Sequence, residues 1–386
     1  MAIYLDNSAT TALCPEAKSA MSAAMECYAN PSSLHKPGSE AAALLAAARR
    51  TVGEALGERY LKDGQLIFTA SGTEATATAL LGCARAKARR TAMTILTTDS
   101  EHPSVSGNLA MLEREGFHIV RVPTKGGALD MDVVRAHCNR DLFMVTMMLV
   151  NNETGAIYPV AEVFAAAKAG NPDCICHCDA VQGFMKLPFT VKSLGVDLIT
   201  VSAHKIHGPK GVGALYISPR LLSARAIVPV YAGGGQEFGL RSGTENVIGI
   251  AGFAAAIEAA MPHRAAAAAQ CAALSQQLID ALADSEITCN LPQRRAAHIV
   301  NITLPDIKSE TMLHFLSERG IAVSAGSACS SHGKGSSQTL LAFGLDAHRA
   351  DCSLRVSLCA ANTKEEIDAL LCALREGTEK LVRIHH

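Results

Sequence analysis

The sequence predicts an α/β protein with a mostly parallel central sheet that is covered by helices, followed by a smaller α+β region. Short apolar runs, many of them rich in β-branched residues, alternate with alanine-rich helical stretches through the first 250 residues. Continuous apolar strands between helices are typical of parallel sheets, which are buried on both faces. From about residue 251 the alternation gives way to a long alanine-rich helical stretch and then to mixed elements.

Strand–helix pairs follow one another along the first part of the chain. The runs predicted to be strands are 65–70, 91–98, 141–150, 174–178 and 198–203. The predicted helices that follow the first four are 74–90, 104–116, 159–170 and 180–184. This order of elements predicts βαβ units.

The last third of the chain predicts a different arrangement. Its elements are a helical stretch at 251–283, strands at 298–304, 321–330 and 353–358, a helix at 309–320 and a closing helix with a capping box of Thr363 and Glu366. We therefore predict a large domain over 13–255. A small domain is predicted to combine 1–12 with 256–386 and to carry a Gly/Ser-rich loop at about 324–337.

Composition excludes several classes of partner. The 386 residues carry a formal net charge of −1, which provides no basic field for nucleic acid or for an anionic membrane surface. No apolar stretch of about eighteen residues is present, and the first residues lack the pattern of a signal peptide. Thirteen cysteines in a chain of this length indicate reduced, mostly buried thiols. We therefore expect a soluble cytoplasmic protein.

Polar residues follow each predicted strand. Ligands of open parallel sheets bind beyond the carboxyl ends of the strands, so these residues are expected to converge in one crevice. They are Ser71, Gly72, Thr73 and Glu74 after the first strand, His102 after the second, Asn151, Asn152 and Glu153 after the third, Asp179 and Gln182 after the fourth, and His204 and Lys205 after the fifth.

Lys205 and Asp179 suggest the chemistry of this crevice. An amine near a carboxylate and a phosphate-type loop is what pyridoxal 5′-phosphate (PLP) needs, because the amine forms a Schiff base and the carboxylate keeps the pyridine nitrogen protonated. The loop would use the free amides at a helix start to bind the phosphate. Each residue also has a simpler interpretation: Lys205 as a solvated strand-end lysine, Ser71 as a plain N-cap, and Asp179 as the cap of a following helix.

Cysteines and one arginine form a second group of candidates. Cys174, Cys176 and Cys178 alternate along one strand, which predicts a buried stripe more than a metal site because no second ligand pair completes a zinc set. Cys329 lies in a Gly/Ser-rich stretch and is either an incidental cysteine or a nucleophile. Arg355 is either an ordinary ion-pair partner or the planar fork that binds an amino acid carboxylate.

Taken together, these residues resemble the cysteine desulfurases of the NifS/IscS type, which are class V aminotransferase relatives on the fold-type I PLP scaffold. The similar motifs run nearly from end to end. They are YLDNSATT (4–11), NPSSLHKPG (30–38), SGTEA (71–75), EH (101–102), VNNETG (150–155), HCDAVQ (177–182), SAHKIHGPKGVGALY (202–216), GGGQEFGLRSGTEN (233–246), SAGSACSS (324–331) and LRVSL (354–358).

The resemblance implies roles for individual residues. Lys205 would hold PLP, Asp179 would pair with the pyridine nitrogen, His102 would lie over the ring as an acid/base, and Gln182 would bind the ring hydroxyl. Phosphate ligands would be Gly72, Thr73, Ser202 and His204, with Thr244 reaching the phosphate from a second subunit of a homodimer. Asn152, beside the cofactor, and Arg355 would bind the substrate carboxylate. No metal ligand is implied.

The resemblance also implies the reaction. Lys205 would take the Cα proton of L-cysteine, and Cys329 would attack the substrate sulfur, giving L-alanine and a persulfide for an acceptor such as an iron-sulfur scaffold or a thiolation relay. Three features depart from the family pattern. HGKGSSQT (332–339) stands after Cys329 in place of the usual Glu-Pro-containing stretch, the sequence stops at EKLVRIHH without the longer tail of many IscS-like members, and Ala77 stands where relatives often have asparagine. The alternatives are another fold-type I PLP enzyme, such as a selenocysteine lyase or an aminotransferase, and a sulfur or metal carrier without turnover.

Overall fold

The computed structural model describes residues 3–86, 93–326 and 336–384. Its strands are β1 Ile3–Tyr4, β2 Leu66–Thr69, β3 Thr94–Thr98, β4 His118–Val122, β5 Leu142–Met148, β6 Ile175–Asp179, β7 Leu198–Ser202, β8 Gly213–Ile217, β9 Thr288–Cys289, β10 Ile299–Thr303, β11 Ile321–Ala322 and β12 Ser353–Ser357. Its helices are α1 Pro15–Met25, α2 Lys36–Ala55, α3 Gly72–Arg85, α4 Pro103–Arg114, α5 Met131–His137, α6 Val160–Gly170, α7 Val191–Leu194, α8 Pro219–Ser223, α9 Val247–Ala260, α10 Arg264–Leu282, α11 Ser309–Glu318, α12 Gln338–Phe343, α13 Ala347–Asp351 and α14 Lys364–Lys380.

Seven strands form the central sheet in the order β2-β8-β7-β6-β5-β3-β4. The five strands from β7 to β4 pair in parallel, whereas β8 is antiparallel to both of its neighbours. Every residue of β5, β6, β7 and β8 is buried, which explains why these strands are continuous apolar runs. The predicted α/β fold with a mostly parallel sheet is confirmed.

Helices cover both faces of this sheet. Apolar side chains of α3 and α4 pack against one face, and those of α2, α6 and α9 pack against the other. The covered faces leave the carboxyl edge of the parallel strands open, and the loops after β3, β5, β6 and β7 reach that edge. This edge positions the site described below.

A separate hydrophobic cluster lies in the last third of the chain. It combines residues of α10, α11 and α14 with the antiparallel sheet β12-β10-β9, and Leu5 joins it from the N-terminus. The N-terminal strand β1 pairs in parallel with β11, through Ile3 opposite Ile321. The division into domains at 12/13 and 255/256 stays a prediction.

Two predicted elements differ from the structure. Residues 181–186 form successive turns where a helix was predicted, because Met185 has a left-handed φ of 61° and Pro188 cannot continue a helix. Asp179 therefore caps no helix. The strand predicted at 321–330 is limited to Ile321–Ala322, with a single further bridge between Ser324 and Arg355, within the part of this segment that is described.

No helix in 3–86, 93–326 or 336–384 is both long and apolar enough to cross a bilayer.

Candidate active site

A cavity of about 180 Å³ lies at the carboxyl edge of the central sheet. It brings together ten of the residues predicted from the sequence: Gly72, Thr73, His102, Asn152, Asp179, Gln182, Ser202, His204, Lys205 and Arg355. Thr244 is exposed and does not line the cavity. Cys329 lies outside the described residues. The roles that the resemblance assigns to these residues stay predictions.

Lys205 lies in a short 3-10 turn, Ala203–Lys205, that follows β7 directly. Its Nζ donates hydrogen bonds to two backbone carbonyl oxygens, those of Ser8 and Ala9, the latter at 2.9 Å. Both carbonyls belong to the N-terminal segment, and both residues line the cavity. Ser8 and Ala9 do not follow a predicted strand of the central sheet, although they belong to the YLDNSATT motif.

Asp179 is the last residue of β6 and is buried next to the cavity. Burial raises the pKa of this carboxyl to about 6, while a hydrogen bond from the backbone N–H of Val181, at 3.0 Å, and the charge of Lys205 act in the opposite direction. A cationic ring nitrogen in the cavity would further favour the carboxylate form. The position therefore fits the pyridinium of PLP.

His102 is the N-cap of α4, directly before Pro103. Its Nδ1 accepts a hydrogen bond from the backbone N–H of Ser104 at 3.1 Å, which places the proton of a neutral ring on Nε2. Burial, and then the positive charge of Lys205, lower the pKa of His102 to about 4. The ring is therefore neutral at pH 7 and lines the cavity with a fixed tautomer.

The phosphate-type loop lies where α3 begins. Ser71 caps this helix by accepting a hydrogen bond from the backbone N–H of Glu74, at 3.1 Å. A Cβ on Gly72 would lie 3.1 Å from Val181 Cγ2 and 3.4 Å from Ser202 Cβ, so a larger residue would crowd the loop. The buried Oγ of Ser202 has no hydrogen-bond partner among the described residues. An unpartnered hydroxyl beside a helix start suits an anion such as a phosphate.

His204 also lines the cavity beside this loop. Its Nδ1 lies 3.2 Å from Thr10 Oγ1. Burial, followed by the charges of Lys205 and Lys210, lowers its pKa to about 4. A neutral His204 can therefore donate a hydrogen bond to an anion at neutral pH.

Arg355 projects from β12 and is 1% exposed. One guanidinium nitrogen donates to the backbone oxygen of Asn152 at 3.0 Å, and the other pairs with Asp6 at 2.7 Å. Its buried Nε has no partner among the described residues. Arg355 is therefore both a structural ion-pair partner and a cation that lines the cavity, so the two interpretations of its role are compatible.

Ser324 and Ser337, which lie on either side of residues 327–335, form hydrogen bonds with residues beside the cavity. Ser324 exchanges backbone hydrogen bonds with Arg355, at 3.2 and 2.7 Å. Ser337 donates a hydrogen bond to Glu153 Oε2 at 2.6 Å. The two ends of the segment that contains Cys329 therefore lie next to the predicted carboxylate ligands Arg355 and Asn152.

Gln182, the predicted ligand of the ring hydroxyl, is hydrogen-bonded, and Thr244, the predicted phosphate ligand of a second subunit, is exposed. The Gln182 amide donates to the Ser8 carbonyl at 2.9 Å and accepts a contact of 3.4 Å from Lys186 Nζ. Thr244 follows a segment held by Arg241, whose Nε donates to Glu74 Oε1 at 2.7 Å. The exposed position of Thr244 leaves its side chain accessible to a second copy of the chain.

The cysteine stripe is buried. Cys174, Cys176 and Cys178 are each 0% exposed. Hydrogen bonding with Cys174 and burial raise the pKa of Cys176, and burial raises the pKa of Cys178, so both remain thiols. Metal binding requires thiolates, and no group of three or more potential metal ligands occurs in the described ranges.

Glu101 precedes His102 and was not assigned a role from the sequence. Its Oε1 accepts hydrogen bonds from Thr98 Oγ1 at 2.8 Å and from the backbone N–H of Met148 at 2.9 Å. Burial raises its pKa to about 8. This protonated carboxyl therefore joins β3 to β5 immediately before His102, in the EH motif.

The family model for class V aminotransferases matches residues 3–370 of the chain. The cysteine desulfurase 1 of Trichormus variabilis is 36% identical over 98% of this chain and 93% of its own length. The cysteine desulfurase NifS of Azotobacter vinelandii is 35% identical over 96% of this chain and 90% of its own length.

Solved structures show the same relationship. A NifS-like protein superimposes with a TM-score of 0.91 at 35% sequence identity, covering 99% of this chain and 100% of its own. The NifS-like protein of Rickettsia africae superimposes with a TM-score of 0.85 at 29% identity, covering 97% of this chain and 99% of its own. The chain therefore belongs to the class V aminotransferase family and, within it, to the cysteine desulfurases of the NifS/IscS type.

Proposed function

We propose that this enzyme is a PLP-dependent cysteine desulfurase that converts L-cysteine to L-alanine and carries the released sulfur as a persulfide on Cys329. The observation that carries the proposal is the placement of Lys205 and Asp179 at the ends of neighbouring strands, in one cavity that also contains the unpartnered hydroxyl of Ser202. An amine, a buried carboxyl and an anion site in one cavity fit the aldehyde, the pyridine nitrogen and the phosphate of PLP.

The chain's own residues hold the two reactants. Lys205 would bind the cofactor aldehyde, Asp179 its nitrogen and Gln182 its ring hydroxyl, while Arg355 would bind the substrate carboxylate together with Asn152. Gly72, Thr73, Ser202 and His204 would bind the phosphate. The bound cofactor supplies an acceptor for the electron pair that is released when the substrate Cα–H bond breaks.

Lys205, His102 and Cys329 would move the proton and the sulfur. The Lys205 amine would take the Cα proton, and His102, with its neutral ring, would exchange a proton with the reacting substrate. The Cys329 thiolate would attack the substrate sulfur, so an S–S bond forms while the substrate C–S bond breaks and leaves its electron pair on carbon. That carbon takes up a proton, and alanine and an enzyme persulfide result.

The visible spectrum of the purified protein tests the proposal directly. We expect a yellow protein whose absorbance is changed by borohydride, and whose Lys205→Ala variant is not reduced to a covalent cofactor adduct. Alanine formation from L-cysteine should require Lys205. A colourless wild-type protein that cannot be reconstituted with PLP would contradict the proposal and favour a carrier without turnover.

A Cys329→Ser variant separates the desulfurase from the other PLP reactions. We expect this variant to keep its colour and its affinity for L-cysteine but to form no persulfide and to lose sulfide release. Cys289→Ser, in the antiparallel sheet, is the control and should behave like the wild type. Unchanged sulfide release from Cys329→Ser would favour a selenocysteine lyase or another PLP enzyme.

The proposal includes a homodimer in the cytoplasm. The dimer is supported by the exposed Thr244, because the family resemblance implies that this residue binds the phosphate in the site of a second subunit. The compartment is supported by the cysteine content, which suits a reducing environment. The persulfide would be transferred to an iron-sulfur scaffold or a thiolation factor. Mixing Lys205→Ala with Thr244→Val chains should restore one intact site per dimer; a monomer by light scattering would contradict this arrangement.

A further inference from the structure

A second and larger cleft, of about 340 Å³, adjoins the candidate active site. The N-terminal segment separates the two: Asn7 lines the second cleft, whereas Ser8 and Ala9 line the active site. Lys205 lines both. The proposed desulfurase reaction uses no other residue of the second cleft.

One wall of this cleft is apolar and built from small side chains. Helices α9 and α10 meet at the turn Met261–His263, and alanines on both sides of the turn line the cleft. These alanines are Ala256, Ala259, Ala260, Ala267 and Ala268. Their short side chains leave room for the apolar body of a ligand, and burial of that body would favour binding.

Lys186 supplies a cation to the same cleft. Its side chain is half-buried because it faces the cleft, and its Nζ contacts Gln182 Oε1 at 3.4 Å. No carboxylate of the described chain forms an ion pair with it. Burial, and then the charge of Lys205, lower its pKa to about 7. An anion in the cleft would therefore stabilise the ammonium form.

His298 adds an unpartnered hydrogen-bonding group. It is 6% exposed and lines the cleft, and its Nε2 has no partner among the described residues. Burial first, and then the charge of Lys186, keep the pKa of His298 well below its usual range. Lys186 and His298 both line the cleft. Among the described lining residues Glu16 is the only acid, and its side chain is exposed to solvent.

We propose that this cleft binds a small monocarboxylate with an apolar body. The carboxylate would lie between the Lys186 ammonium and the His298 imidazole, and the apolar body would pack against the alanines of α9 and α10. Binding would also draw Lys186 away from Gln182, which lines the active site. This inference does not depend on the desulfurase reaction.

Calorimetric titration of the PLP-loaded enzyme with hexanoate, and with hexanol as the neutral control, tests the proposal. We expect hexanoate to bind and hexanol to bind at least about tenfold more weakly, because only the acid can pair with the ammonium. Lys186→Met keeps the apolar stem and should weaken hexanoate binding by about tenfold or more. Ala267→Phe should fill the cleft and block hexanoate binding by steric exclusion, without removing the Lys186 charge.

Two cysteines of the cleft, Cys271 and Cys359, report where hexanoate binds. Hexanoate should slow the alkylation of these two cysteines by iodoacetamide, which peptide mass spectrometry quantifies. We expect this protection in the wild type and in Arg355→Lys but not in Lys186→Met. Equal binding of hexanol, full affinity in Lys186→Met, or hexanoate binding lost only in Arg355→Lys would each overturn the proposal. Alanine production plays no part in these measurements, so a failure of the proposed function would be recognised separately.

Discussion

Glu101 is a buried acid that shows how a single residue near the site can be tested. It is protonated in the folded protein because burial raises its pKa to about 8, from an ordinary 4.5. A carboxyl with a raised pKa contributes stability that is complete below pH 4.5 and is lost as the pH rises through 8. Glutamine keeps the acceptor for Thr98 and Met148 but cannot ionise.

We therefore predict that Glu101→Gln stabilises the protein at neutral pH. Its advantage in unfolding free energy over the wild type should grow by about 1.4 kcal/mol per pH unit between pH 4.5 and 8. Urea unfolding at several pH values measures this. Glu101→Ala loses both hydrogen bonds and should be about 2–4 kcal/mol less stable than Glu101→Gln at every pH, because neither side chain ionises. A pH-independent difference between Glu101→Gln and the wild type would contradict the assignment of a buried neutral acid.

Arg355 provides a second prediction for a single residue. Arg355→Lys keeps a positive charge but loses the planar fork that suits a carboxylate. We expect KM for L-cysteine to rise by about tenfold or more, while the spectrum of the bound cofactor is unchanged. Arg319→Lys, which alters a surface pair with Glu376, is the matched control and should leave KM unchanged. An unaltered KM in Arg355→Lys would assign Arg355 to structure alone, through Asp6.

The start of α3 depends on a neighbouring strand. A Cβ on Gly213 of β8 would lie 2.5 Å from the Ser71 carbonyl carbon and 2.8 Å from the backbone nitrogen of Gly72, too close for either backbone atom to remain in place. The loop that begins α3 can therefore approach the sheet only because residue 213 is glycine. The proposed phosphate site relies on a contact between backbones.

Gly213→Ala should therefore displace this loop. We expect about tenfold weaker PLP binding, measured by absorbance titration, and a loss of about 1–3 kcal/mol in unfolding free energy. Gly107→Ala in α4 is the control because a Cβ there meets nothing within 4 Å, and alanine favours a helix by about 1 kcal/mol. Unchanged PLP affinity in Gly213→Ala would show that the loop start does not hold the phosphate.

At the scale of the whole molecule, buried histidines dominate the response to acid. The pKa values of His102 and His204 are lowered to about 4 and that of His177 to about 3, with burial the first cause in each. A lowered histidine pKa gives stability that is present above 6.5 and is lost as the pH falls toward the folded value. Asp179, Glu101 and Glu153 act in the opposite direction because burial raises their pKa values.

The pKa values of His207 and His298 are lowered as well, so five imidazoles with lowered pKa values outnumber three carboxyls with raised ones among the described residues. The free energy of unfolding should therefore fall between pH 6.5 and 4.5. Each imidazole whose pKa is lowered reduces the free energy of unfolding by about 1.4 kcal/mol for each pH unit of acidification in this range. Thermal unfolding of the protein at successive pH values measures the net slope. Glu101→Gln should steepen it by removing one opposing group; a Tm that is constant or rises on acidification would refute the prediction.

Much of the site is predictable from the sequence because polar residues follow the strands of the parallel sheet. Lys205, Asp179 and His102 each follow an apolar run, and parallel strands expose their carboxyl ends at one edge. This pattern does not identify Ser8 and Ala9, whose carbonyls bind Lys205, because these residues meet Lys205 across almost 200 positions of sequence. A helix was also predicted at 180–184, but turns run over 181–186 and Met185, directly after the predicted helix, takes a left-handed conformation.

The sequence by itself determined the order of the elements, the α/β class and the residue types at the strand ends, because apolar periodicity and strand punctuation are local properties. Only the tertiary structure decided which groups were left without partners, such as Ser202 Oγ and His298 Nε2, and that a second cleft opens behind the N-terminal segment. Burial and partner choice arise from contacts between distant segments, and these contacts set the pKa values and the cavities on which the chemistry depends.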